Sequence, residues 1–137
     1  MGRGVSQRYL LDTNAASAIL RQREPVCSRA ASVPISALAI SSVTAAELHY
    51  GLAKRPQATA LAKLVREFLR YADVLPWSDA IAPHYGTLRA ALEAKGISIA
   101  PLDLMIAAHA LAIDATLVTS DQALSMIDIL TVEDWDA

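Results

Sequence analysis

The run Tyr9-Leu10-Leu11-Asp12-Thr13-Asn14-Ala15-Ala16-Ser17-Ala18-Ile19-Leu20 decides the fold class. Three residues of strand character stop abruptly at Asp12. Thr13 and Asn14 then supply helix N-cap chemistry, and Ala15 to Leu20 reads as the helix that follows. Arg21 and Arg23 close it, where cations favour the negative end of the helix dipole. The same strand-then-helix unit recurs along the chain. Leu38 to Ser41 is strand-length and apolar, and a helix opens at Thr44-Ala45-Ala46-Glu47 and runs to about Lys54, with Pro56 as its stop. Thr59 to Tyr71 is helical by spacing, with Leu61, Leu64, Val65 and Phe68 on one face. Val74-Leu75 reads as a short strand, and Ser78 as the cap of a helix from Asp79 to Lys95 that Gly96 ends. Pro101 starts a helix that continues to about Ile113, Thr116 to Thr119 is a β-branched strand, and a short helical stretch leads to a last strand near Leu130 to Val132. Strands alternating with helices predict a mainly parallel sheet covered on both faces.

Composition narrows the setting. The 137 residues are the size of one domain, and with 54% hydrophobic but only 5% aromatic residues the core must be mainly Ala, Leu, Ile and Val. No repeat or linker divides the chain, so a single domain is expected over 1–137, with residues 1–7 as a flexible extension. The lone cysteine, Cys27, excludes an internal disulfide and a cysteine-based zinc site, and points to a reducing, cytoplasmic setting. The longest apolar run, Leu104 to Ile113, is interrupted by His109 and falls short of the roughly 20 residues a spanning helix needs, so no membrane association is expected. A net charge of −2, from 12 basic and 14 acidic residues, announces no nucleic-acid binder.

The positions of the acids carry more than their number. Ligands of parallel sheets bind at the carboxyl ends of the strands, and Asp12 and Asp121 each follow a strand. Each acid also has a bland reading: Asp12 as an N-cap, Glu47 as the far half of a Thr44–Glu47 capping box, Asp103 as a first-turn dipole partner, and Asp121 as a turn residue. Yet Asp103 lies on a helix whose only other polar side chain between Leu102 and Ala112 is His109, so that helix must be central and its carboxylate needs a partner. Two unit charges 4 Å apart repel by about 4 kcal/mol at an effective dielectric near 20. Four clustered carboxylates therefore call for raised pKa values, basic partners or cations, and oxygen-only ligands select Mg²⁺ or Mn²⁺.

Four motifs together resemble the PIN-domain nucleases, in particular the VapC toxins of bacterial toxin-antitoxin pairs. They are Leu10-Leu11-Asp12-Thr13-Asn14; Ile40-Ser41-Ser42 leading to Glu47-Leu48-His49-Tyr50-Gly51; Pro101-Leu102-Asp103-Leu104 running on to His109-Ala110; and Ala115-Thr116-Leu117-Val118-Thr119-Ser120-Asp121 with a closing Val132-Glu133-Asp134-Trp135. The resemblance spans residues 8 to 135. It implies a three-layer α/β/α fold and a metal-dependent endoribonuclease, with Asp12, Glu47, Asp103 and Asp121 as catalytic acids and Mg²⁺ ligands. Thr13, Asn14 and Thr119 would orient those carboxylates. It further implies a homodimer silenced by a cognate antitoxin, promoter DNA reached only through that antitoxin, and structured RNA substrates such as transfer or ribosomal RNA, cut to leave a 5′-phosphate. The chain departs from the pattern at Leu124, Asp128 and Ile129, where a Phe and a Pro-Gly turn are usual. It departs again at Asp114, where a Gly commonly ends the preceding helix.

Lys63, Arg66 and Arg70 share a helix face and read either as a solvated surface or as an RNA phosphate track. His49, His84 and His109 lack zinc-helix spacing, and His109 reads as a hydrogen-bonded core residue; Trp77 and Trp135 read as packing residues. A phosphoaspartyl hydrolase would want an acid at position 14, where Asn14 stands, and no glycine-rich phosphate loop is present. Two rivals remain: an idle binding module acting only through its antitoxin and promoter DNA, and a nuclease for DNA or housekeeping RNA.

Overall fold

A computed structural model describes residues 7–137. Five parallel strands are ordered β3-β2-β1-β4-β5. They are β1 (Tyr9–Leu11), β2 (Leu38–Ser41), β3 (Asp73–Leu75), β4 (Thr116–Val118) and β5 (Val132–Glu133), joined by α1 (Thr13–Leu20), α2 (Val26–Ala31), α3 (Ser42–Ala53), α4 (Thr59–Tyr71), α5 (Ala82–Ala94) and α6 (Pro101–Ala112). The expected mainly parallel α/β/α sandwich is the fold found.

Register shows why both faces carry helices. Leu10 pairs with Ala39 on one side and Leu117 on the other, while Leu11 pairs with Ile40 and Val118. Successive strand residues point to opposite faces. Leu10, Ala39 and Leu117 accordingly pack with Leu88 and Leu92 of α5 and Leu104 and Ala107 of α6. Leu11, Ile40 and Val118 pack with Ala15 and Ala16 of α1, Val26 and Ala30 of α2, and Trp135. Neither face of the central strands β1, β2 and β4 is left for water, which is why Leu10-Leu11 and Leu38 to Ile40 read as unbroken apolar runs, whereas Asp73 and Val74 of edge strand β3 stay exposed. Helix α6 is central as its composition demanded, with Leu104, Ile106, Ala107, Ala108, His109 and Ala110 all buried. His109 meets Ser41 at 2.8 Å through Nδ1, so it is a hydrogen-bonded core residue, as expected. Trp77 and Trp135 do pack, and each indole N–H is satisfied, by the Met105 carbonyl and by Glu133.

Several boundaries differ from the sequence reading. The cap of α1 is Asp12 itself, and the helix begins at Thr13. Helix α3 starts at Ser42 under a Ser41 cap. Helix α5 starts at Ala82, because residues 78–81 form a turn closed by the Ile81 amide on the Ser78 carbonyl. The last strand is Val132–Glu133, and α2 was not anticipated. Residues 1–6 of the expected extension lie outside those described, and the Gln7 side-chain amide donates to Thr116 at 2.7 Å. Among the described residues no helix is long and apolar enough to cross a membrane.

Candidate active site

Strand order places the site. Chain order runs outward from β1 through β2 to β3, then jumps back across β1 to β4. The carboxyl ends of β1 and β4 thus flank a topological switch point, where such sheets bind ligands. Asp12 ends β1, Thr119 and Asp121 follow β4, Glu47 lies one turn into α3 after β2, and Asp103 sits in the first turn of α6.

Asp12 is only 7% exposed and accepts the Ala15 amide at 2.7 Å as the cap of α1. That bond and a second one from the Thr119 hydroxyl favour its ionised form, yet its pKa is raised. Burial is the largest cause, with repulsion from Asp121 and Glu47 adding to it. Asp103 is raised too, first by burial and then by Asp121, Glu47 and Asp12 in turn. The four carboxylates predicted from scattered motifs therefore feel one another's charge. No ion pair among the described residues involves any of them, since the two ion pairs found are Arg8–Asp73 and Arg89–Glu93.

The smaller polar residues take specific posts. The Thr13 hydroxyl donates to Glu47 Oε1. Glu47 is therefore aimed across to α1 and is not half of a capping box: the buried Thr44 hydroxyl has no hydrogen-bond partner among the described residues, and Ser41 caps α3 through the Val43 amide. Thr119, 2% exposed, lies beside two acids: its hydroxyl helps to offset the rise in the Asp12 pKa and accepts the Asp121 amide at 3.0 Å. Asp121 Oδ1 in turn accepts the Ala123 amide at 2.9 Å, which locks the turn after β4. Asn14 is exposed on α1 and lines two clefts beside that helix. Lys63, Arg66 and Arg70 are exposed on α4 and line neither of those clefts. The cations that border them are Arg21, Arg23, Lys54 and Arg55. Sequence reading took Arg21 and Arg23 only as helix-end charges, and did not single out Lys54 or Arg55. Only the meeting of α1 with α3 shows Arg21, Lys54 and Arg55 as neighbours of Glu47.

No three His, Cys, Asp or Glu side chains among the described residues form a ready chelating group. A buried Asp12 and three half-buried carboxylates that repel one another, with no ion-pair partner among the described residues, nevertheless suit a hard cation. Mg²⁺ in particular is commonly held by one or two carboxylates and keeps several of its waters.

The class of protein to which this fold belongs follows from the family model that matches residues 9–130, the PIN domain. Among curated proteins, Ribonuclease VapC2 of Rickettsia felis is 39% identical over 100 residues, covering 72% of this chain and 75% of that one. The tRNA(fMet)-specific endonuclease VapC of Shigella flexneri is 30% identical over 129 residues, covering 93% and 98%. Among solved structures, VapBC2 from Rickettsia felis bound to a promoter DNA fragment matches with TM-score 0.87 at 32% identity, covering 95% of this chain and all of that one. DNA-bound VapBC from Salmonella typhimurium matches with TM-score 0.87 at 31% identity, covering 95% and 99%. The chain belongs to the VapC ribonucleases of the PIN domain family.

Proposed function

We propose that this ribonuclease is the toxin of a toxin-antitoxin pair in the cytoplasm, and that it cuts structured RNA with a Mg²⁺ or Mn²⁺ ion held at the sheet edge. The observation that carries the reading is the pair Asp12 and Asp103, both raised in pKa and both without an ion-pair partner among the described residues. Such a pair is a poor structural choice and a good cation site. Asp12 and Asp103 would hold the ion, with Asp121 and Glu47 completing the acidic pocket. When bound, it lowers the pKa of a coordinated water and neutralises charge on the phosphodiester.

The chain's own residues do the positioning. Thr13 takes Oε1 of Glu47 and leaves Oε2 without a protein donor among the described residues, able to accept a hydrogen from an attacking water. Thr119 holds the turn that carries Asp121 through the Asp121 amide and stands beside Asp12, so it would orient both acids. Transfer RNA is the favoured substrate, because a relative 30% identical over 93% of this chain is named for transfer RNA. A cognate antitoxin is the proposed regulator, as solved relatives are VapBC complexes. Promoter DNA is reached through that antitoxin, and the working unit is a homodimer.

The test is a map of new 5′-phosphate RNA ends after brief expression of the wild type and of Asp103→Asn. Discrete ends made only by the wild type support the reading and name the RNA. Identical maps from two soluble proteins, with no antitoxin present, would make the idle binding module the better account.

A further inference from the structure

Two clefts flank α1 at the acidic edge, and they share a wall. One, of about 260 Å³, is lined by Asn14, Ser17 and Arg21 together with Thr119 and Ser120. The other, of about 200 Å³, is lined by the same three residues together with Glu47, Lys54 and Arg55. Asn14, Ser17 and Arg21 stand at helical spacings of three and four, so they form one stripe along α1. That stripe is the ridge between the clefts.

We infer that Arg21, Lys54 and Arg55 bind the phosphate backbone of the RNA beside the bond to be cut, so that the strand lies in the Glu47 cleft against the polar ridge of α1. The inference rests on the ribonuclease reading and adds a substrate-binding surface to it. Four carboxylates at one edge, in a chain of net charge −2, repel a polyanion as much as they attract a cation. A phosphodiester arriving there needs positive charge within reach that is not spent elsewhere. The Glu47 cleft supplies three such side chains, all exposed, and none takes part in an ion pair among the described residues. The Lys54 ammonium sits 4.7 Å from the Tyr50 ring centroid, a contact that steadies it without neutralising it. Arginine adds a planar fork that matches two phosphate oxygens at once.

The blander account is that Arg21 and Lys54 merely complement helix dipoles, since each is the C-cap of its helix. That interaction is worth about 0.3–1 kcal/mol at an exposed end, and it explains the sign of each charge. It does not explain why the ends of two different helices deliver three cations into one cleft that also holds Glu47. The other cleft is less suited to phosphate, because Asp134 and Asp136 line it beside Arg23.

The experiment measures transfer RNA binding to the full-length protein at a series of salt concentrations. It is done in an Asp103→Asn background, so that nothing is cut. Replacing Arg21, Lys54 and Arg55 together by Gln should make the slope of log affinity against log salt shallower by about two, as expected for three lost phosphate contacts to a single strand. The three sites are exposed, and a thermal melt confirms that the variant is folded. Restoring charge with Arg21→Lys, Lys54→Arg and Arg55→Lys should restore the slope. An unchanged slope in the Gln variant overturns the inference, as does a slope that responds only to Gln at Lys63, Arg66 and Arg70. If the Gln variant instead loses antitoxin affinity and keeps the RNA slope, the cleft belongs to a protein partner and the inference fails. Cleavage by the wild-type protein is assayed in parallel. A wild type that cuts RNA beside an unresponsive Gln variant sinks this inference alone, whereas a wild type that neither binds nor cuts RNA sinks the ribonuclease reading with it.

Discussion

Asp12 accepts an amide at a helix N-terminus and a hydroxyl from Thr119, contacts that ordinarily hold a carboxylate ionised. Burial and two neighbouring acids outweigh them, and the stability consequence has a definite sign. A carboxyl whose folded pKa lies above its unfolded value of about 3.9 binds more protons folded than unfolded in the interval between. Its contribution is then best at low pH and is lost as pH rises through the folded value. At neutral pH without divalent cation, Asp12 and Asp103 therefore work against the fold. Asp12→Asn keeps an oxygen for the Ala15 amide while removing the charge. It should raise Tm at pH 7 in chelator by roughly 3–5 °C, about 1 kcal/mol. The gain should shrink towards pH 4 and on adding Mg²⁺. His109, lowered by burial, contributes with the opposite sign, its stabilisation being present above about 6.5 and lost as pH falls below it. Comparing variant with wild type at each pH cancels that contribution. A lower Tm for Asp12→Asn at pH 7 in chelator would show that the acids are not in conflict. Asp12 and Asp121, which follow strands, and Asp103, which opens α6, were legible from their positions, whereas Glu47 reads in the sequence as opening a helix that begins five residues earlier, at Ser42. The Thr13–Glu47 bond was not legible, since it joins residues 34 apart that only the packing of α1 on α3 brings together.

Helix ends show the same division between local and tertiary information. Gly96 ends α5 at φ +74, with its amide on the Glu93 carbonyl and the Ile97 amide on Leu92, and the sequence announced that stop. Gln22 after α1 and Asp114 after α6 adopt φ 56 with the same pair of return bonds, although each carries a Cβ that this conformation disfavours. Gln22→Gly should therefore stabilise the protein by about 1 kcal/mol and Asp114→Gly by somewhat less, because Asp tolerates the left-handed region better. Gly96→Ala should cost about 1 kcal/mol. No atom lies within 4 Å of the added Cβ, so that loss would come from the backbone alone. Urea melts read all three as midpoint shifts at constant slope. Destabilisation by Gln22→Gly would mean that the glutamine side chain contributes more than its backbone costs. Helix α2 escaped the sequence reading because six residues, Val26 to Ala31, are too few for a 3.6-residue period to show, and only Val26 and Ala30 are buried. Helix α6 was legible for the converse reason, since a twelve-residue run with two polar side chains can only be central.

At the scale of the whole molecule, charge and apolar surface occupy different places, and neither is visible in composition. The convergence of Arg21, Lys54 and Arg55 exists only once two helix ends meet. The same holds for an apolar groove of about 360 Å³ between α1, β2 and α4, lined by Leu20, Ile40, Phe68, Ile35, Leu64 and Tyr71. Ile35 is 74% and Tyr71 72% exposed, and Leu64 stands at 43%, a cluster of large apolar side chains left to water. Contiguous exposed apolar surface of this kind marks an interaction site, and the proposed antitoxin is the first partner to test on it. Ile35 and Leu64 line neither cleft at the acidic edge, so antitoxin binding and RNA cleavage should separate by mutation. Ile35→Glu and Leu64→Glu should each weaken antitoxin binding by roughly tenfold, about 1–2 kcal/mol of lost apolar burial. Cleavage by the toxin alone should persist. Titration calorimetry with the purified antitoxin and an RNA cleavage assay on the same preparations read the two effects side by side. If both variants bind antitoxin as tightly as the wild type, the groove serves another purpose. If cleavage falls together with binding, the groove and the acidic edge are mechanically one unit, and inhibition would then act through α1, whose Leu20 lines both the groove and the Glu47 cleft.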